Sequence, residues 1–340
     1  MTSHARRGAV SLAFAGLCTL SMASGAKLTA VKRLHVPYGP KSLRFSPDGS
    51  MVAVDCLYSH KVVLIDSQTM QITQTIAVGG EPVECAFTPD SKQLWVSLYN
   101  RAEVDHIDLT TGKIIDRIAV GQIPKVVELS PDGKWLYVAN WSSGTVMVFD
   151  TATRQRVHEL RAGRIPRGIA FTHDGRWAYV AIMGSDRLLK IDVSKHRVVG
   201  KVIVGITPRH VVISSDDKML YVSNNLGNTI TGVDLTTGKS VGKVRVGKMP
   251  RTIALSPDGH TLYVCNYESK TLGIVDVQSM RQVGASKTDV HPIGVTVSPD
   301  GQAVWVCCYR ASTVRIFRVL NQSVHDPVGT VTNRVHARKP

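Results

Sequence analysis

The sequence contains no CxxC and no CxxCH, which excludes a zinc ribbon and a covalently attached c-type haem at the level of motif. No uncharged apolar run reaches about 18 residues, which argues against an integral membrane protein. No long 3.6-residue periodicity is present, so the hydrophobic pattern does not call for amphipathic helices. Acidic residues are the scarcer charge: Asp and Glu number 26 against 41 Lys and Arg, a formal net charge of +15. That balance favours anionic partners or surfaces. With 43% hydrophobic and 20% charged residues the chain is globular rather than disordered or fibrous. Its 340 residues are enough to bury roughly three quarters of the unfolded surface in a full core.

Acids are also absent from residues 1–26, where Arg6 and Arg7 precede a stretch of apolar and small residues from Ala9 to Ala23. Ser24-Gly25-Ala26 then offers small residues before Lys27. A charged start, a short apolar core and a small-x-small site predict a secretory signal peptide over residues 1–26. A retained anchor is the alternative. Cys18 follows Leu17, where a lipobox needs a small residue, so a lipoprotein is not expected. Export from a bacterial cytoplasm, to the periplasm or beyond, follows, with no transmembrane span after cleavage.

The dominant signal is a repeat. Pro40, Pro82, Pro124, Pro166, Pro208, Pro250 and Pro292 fall in one phase, 42 residues apart. Eight positions later come Asp48, Asp90, Asp132, Asp174, Asp216, Asp258 and Asp300. A third series runs Asp66, Asp108, Asp150, Asp192, Asp234 and Asp276, with Arg318 breaking it in the last copy. Each copy reads as four short strands, A to D. In the third, Val126 to Leu129 is strand A and Ser130-Pro131-Asp132-Gly133 a turn, with Pro presetting φ and Gly accepting a positive one. Trp135 to Asn140 is strand B, Thr145 to Asp150 strand C and Val157 to Ala162 strand D. Four strands per period of about 40 residues make the blade of a β-propeller. Leu34-His35-Val36 aligns with the end of a strand D, so residues 29–36 are expected to complete the last blade and close a ring of seven. The domain then spans residues 27–326, and 327–340 form a basic tail.

Leu136-Tyr137-Val138-Ala139-Asn140, Leu220-Tyr221-Val222-Ser223-Asn224 and Leu262-Tyr263-Val264-Cys265-Asn266 resemble the YVTN-type seven-bladed β-propeller repeat family. The Ser-Pro-Asp-Gly turns and the Val-Gly-x-x-Pro joint, as in Val246 to Pro250, fit it too. The resemblance covers residues 30–318. Copies one, two, four and seven depart from it, with Cys56, Leu98, Ile182 and Cys308 in place of Asn, and His173 and Ser215 replace the turn Pro of copies four and five. The resemblance implies a secreted or periplasmic binding protein, surface-layer antigens among its kind. Some similar propellers are lactonases, and related ones hold haem or belong to quinoprotein dehydrogenases. Fold does not choose among these.

Propeller symmetry turns equivalent positions into rings. The residue after each phased Pro is Lys41, Val83, Lys125, Arg167, Arg209, Arg251 or Ile293, five of them basic, at the mouth of the central channel. The joints add Arg164 and Lys248. The B–C loops add Arg101 and Arg310, interleaved with Tyr99, Trp141, Tyr267 and Tyr309. Cations that meet phosphate or carboxylate, beside flat rings that stack, suit an anionic polymer, whether nucleic acid or cell-wall glycan, or an acidic protein surface. The alternative is a solvated basic face whose aromatic stems pack between blades.

Strand A also carries Arg44, Glu84, Glu128 and His210 among small neighbours. His210 with Glu84 is the candidate acid–base pair of a lactonase-like hydrolase, and His210 or His291 the candidate axial ligand of a haem- or metal-linked redox protein. Against both stands an ion pair of Arg44 with Glu84 or Glu128. No known catalytic spacing is present, and no cofactor or metal is expected. Turn chemistry accounts for the Asp series without a metal. Cys56, Cys85, Cys265, Cys307 and Cys308 are expected as small buried hydrophobes, because equivalent positions in neighbouring blades do not face one another. The leading expectation is a binding or interaction propeller with a basic mouth.

Overall fold

A computed structural model describes residues 27–320. The signal-peptide reading of residues 1–26 and the tail at 327–340 lie outside them. Strand β1 (Lys27–His35) comes first. Blade one follows with β2 (Pro40–Phe45), β3 (Met51–Cys56), β4 (Lys61–Asp66) and β5 (Ile72–Ala77). The pattern recurs as β6–β9 over residues 82–119, β10–β13 over 124–161, β14–β17 over 166–203, β18–β21 over 208–245 and β22–β25 over 250–287. Blade seven has β26 (Pro292–Val297), β27 (Ala303–Cys308) and β28 (Thr313–Leu320), and β1 pairs antiparallel with β28 as its outermost strand. The N-terminal strand therefore closes the ring, as the phase of Leu34-His35-Val36 predicts. It begins two residues before residue 29 and carries an irregularity between Ala30 and Lys32.

Strands B and C are buried on both sides and strand D alternates, since only the outermost strand leaves a face in water. Seven apolar clusters result, one at each interface between neighbouring blades. Strands A crowd the axis: a Cβ on Gly168 would stand 2.7 Å from the Arg209 carbonyl oxygen, so only Gly admits the neighbouring strand.

The repeated polar residues are structural. At each A–B turn the aspartate accepts the hydroxyl of the Ser or Thr two residues before it, as Asp132 does from Ser130 and Asp174 from Thr172. At the C–D turns Asp66, Asp150 and Asp234 accept backbone N–H groups two and three residues on. His173, the departure of copy four, is met by Asp217, which stands in copy five where most other turns have Gly. Asp217, at φ +55°, accepts the backbone N–H of His173 and lies 2.8 Å from its Nδ1.

The conserved-looking Asn of strand B explains the joint. Asn140, Asn224 and Asn266 are fully buried and donate to Thr145, Thr229 and Thr271. Gly121, Gly205 and Gly247 lie directly on them, where a Cβ would stand 2.5–2.6 Å from the amide carbon. Blade seven substitutes both partners: Cys308 replaces the Asn, and Asp289 replaces the Gly. Asp289 accepts from Thr313 and Arg33 at 2.6 and 2.7 Å, tying β1 to the closing blade. All five described cysteines are buried and unpaired, and burial pushes their thiols up.

Candidate channel-mouth site

The second residue of each strand A lies beside the joint, at one end of the channel. Going round from blade three to blade six, Lys125, Arg167, Arg209 and Arg251 form an unbroken arc, with Lys41 set apart by Val83 and Ile293. Arg167 and Arg209 are only 7% and 6% exposed. Among the described residues none of the five has a carboxylate within ion-pair distance. Burial, then the charges of Arg209, Arg167 and Arg251, push the Lys41 ammonium down. Burial, then Arg167, Lys41 and Arg209, push Lys125 down to about 5. Arg209 is lowered by burial and by Arg167 and Arg251. Basic groups on different blades thus feel one another across the mouth, and the buried Glu84 carboxyl of blade two offsets Arg167 and Arg209 only in part.

Aromatic rings pack against these basic groups. Lys125 Nζ lies 3.7 Å from the Tyr99 ring centre and 5.3 Å from that of Trp141. Lys41 Nζ stands 4.6 Å over Tyr309, and the Arg251 guanidinium 4.3 Å over Tyr267, which also stacks on His291 at 4.2 Å. A ring quadrupole partly replaces the missing anion. Tyr99, Trp141, Tyr267 and Tyr309 thus lie beside the basic residues of strand A and pack against them. The other predicted cations are more peripheral. Arg101 is exposed and donates from Nε to the Gly79 carbonyl at 2.9 Å. Lys248 and Arg310 are exposed, and Arg164 lies on the outer wall between blades three and four.

Deeper in the channel, Arg44 and Glu128 pair with both forks engaged, at 2.9 and 2.7 Å, across blades one and three. Of the two partners open to Arg44, the structure selects Glu128. The Glu84 carboxyl has no hydrogen bond among the described residues; burial pushes it up to about 7, against the opposing pull of Arg44 and Arg167. His210 lies in the same cavity of about 310 Å³, yet the two share no hydrogen bond. Burial, then Arg44 and Arg209, push its imidazole down to about 3, which leaves it a weak base. His291 Nε2 is 3.8 Å from Glu268.

Two buried carboxyls escape sequence reasoning: Asp105 on strand C, paired with Arg117 at 2.9 Å, and Asp55 in the inner strands. Asp55, fully buried on strand B, accepts the Ser42 hydroxyl, and burial pushes it up to about 6. Its signal is present in the repeat: the equivalent positions are Ser97, Ala139, Ala181, Ser223, Cys265 and Cys307, all small.

Fold and site together define a seven-bladed propeller of the YVTN type. The sequence profile of the YNCE-like β-propeller matches residues 6–319, and the chain belongs to that family. Among solved structures it is similar to a chain of Kuenenia stuttgartiensis hydrazine synthase. That chain is 24% identical, with a TM-score of 0.77 and coverage of 85% of this chain and 97% of the other, a likeness of fold. No curated protein matches the sequence.

Proposed function

We propose that this chain is an exported binding propeller that takes an anionic polymer, or an acidic segment of a partner protein, at the basic end of its channel. The observation that carries this reading is the arc of Lys125, Arg167, Arg209 and Arg251, with Lys41 opposite, held without a carboxylate partner. Burying like charges together costs stability, and an anion relieves that cost. Family membership is consistent with an interaction role. The hydrolase alternative has weaker support, since His210 and Glu84 share a cavity but no hydrogen bond.

The test is binding of the mature chain to single-stranded oligonucleotide, heparin, peptidoglycan fragments and polyglutamate across a salt series. Affinity for one of them that falls steeply with salt supports the reading. Weak binding to all of them, insensitive to salt, contradicts it.

A further inference from the structure

The wall between blades three and four carries a cleft that none of the strand A cations lines. Each joint of the repeat is a natural control for the others. Where strand D runs into the joint, the chain has Val36, Val78, Val120, Val204 and Val246, with Thr288 before blade seven and the smallest residue, Ala162, here. Where strand B of blades three, five and six ends in Asn, with a Thr five residues on, blade four has Ile182 and Arg187. The joint glycine responds. A Cβ on Gly121, Gly205 or Gly247 would collide with the Asn beneath, whereas one on Gly163 would meet only Ile182, at 3.8 Å, and Gly163 takes φ +95°. The loss of two methyl groups and the rerouted joint leave an open cleft of about 570 Å³.

Its floor is apolar, formed by Ala162, Ile182, Leu189 and Val198. Its rim carries Arg161, Arg164, Arg187 and Lys201. Arg187 stands 3.9 Å from Asp186; among the described residues the other three have no carboxylate within ion-pair distance. The Arg164 carbonyl accepts the Gly184 N–H at 3.0 Å, which fixes the rim against blade four. A volume in the range of small-molecule sites, apolar below and cationic at the edge, matches a ligand with an apolar body and an anionic head.

We propose that the cleft between blades three and four binds an organic carboxylate with a medium-length aliphatic body. The hydrocarbon lies on Ile182 and Leu189, and the carboxylate meets the guanidinium groups of Arg187 and Arg161.

Titration calorimetry with octanoate, 1-octanol and acetate tests this on the wild type and on Ala162→Val and Arg187→Thr. Both substitutions restore residues that other blades carry, so the fold is retained, and thermal unfolding checks that it is. Octanoate should bind, with 1-octanol at least about tenfold weaker and acetate weaker still. Each substitution should weaken octanoate by about tenfold or more. Arg167→Gln at the channel mouth should leave octanoate binding unchanged. The proposal is overturned by no octanoate binding, by equal affinity in Ala162→Val, or by 1-octanol binding as tightly as octanoate. Loss of octanoate binding in Arg167→Gln but not in Ala162→Val would place the ligand at the mouth and overturn it as well.

Discussion

Two tiers of strand A handle buried charge in opposite ways. At the second position, Arg167 and Arg209 are nearly inaccessible and have no carboxylate within ion-pair distance among the described residues. At the fifth position, three residues or about 10 Å further along the strands, Arg44 is met by both oxygens of Glu128. The lower tier is satisfied within the fold, and charge there serves structure. The upper tier has no such partner among the described residues, which is why we propose an external anion for it. A net charge alone would not distinguish the two tiers.

Removing charge from the two tiers should move stability in opposite directions. Glu128→Ala strands the Arg44 guanidinium. A fully buried pair broken in this way loses about 3–5 kcal/mol; with side chains 30% and 20% exposed, about 2–3 kcal/mol is expected here, read from urea unfolding. By contrast, Arg167→Gln with Arg209→Gln removes two uncompensated charges. It should raise stability by about 1–2 kcal/mol in the same measurement. Destabilisation of similar size in both tiers would erase the distinction.

Glu84 gives a smaller, pH-dependent effect. Its folded pKa of about 7 lies above the ordinary carboxylate value because burial disfavours the charge. Its burial is therefore tolerated at low pH, and the stability this allows is lost as pH rises through about 7. Glu84→Gln should stabilise the protein at pH 8 and change little at pH 4. Protonation also removes the negative charge beneath the arc. Polyanion affinity should rise from pH 8 to pH 6 roughly three- to tenfold more in the wild type than in Glu84→Gln, the equivalent of about half to one pKa unit, since the lowered Lys125 takes up a proton on binding in both. Parallel pH profiles for the two proteins would remove Glu84 from the site.

The architecture was legible because a phased Pro, two phased Asp and a Gly-rich joint recur without insertion, so the period alone places every strand. The ring of cations was legible for the same reason, since symmetry carries sequence phase into space. Pairings that leave the phase were not. Arg44 reaches Glu128 two blades away, a choice between two acids that depends on side-chain reach across the channel. The hold of Tyr99 and Tyr267 on Lys125 and Arg251 depends on loop geometry that the period does not encode. The closure salt bridges of Asp289 arise where two repeat residues change together. The same kind of joint departure, Ile182 with Arg187, opens the outer cleft. In a repeat protein the copies that break the pattern deserve as close a reading as the pattern itself.

The most direct measurement is the salt dependence of polyanion affinity for the wild type and for the combined Arg167→Gln, Arg209→Gln and Arg251→Gln variant, with unfolding followed on both. An upper tier built for an external anion predicts a variant at least as stable as the wild type. Its affinity is nearly lost, and its log–log salt slope is shallower by about 2–3. A folded variant with unchanged affinity and unchanged slope would contradict it.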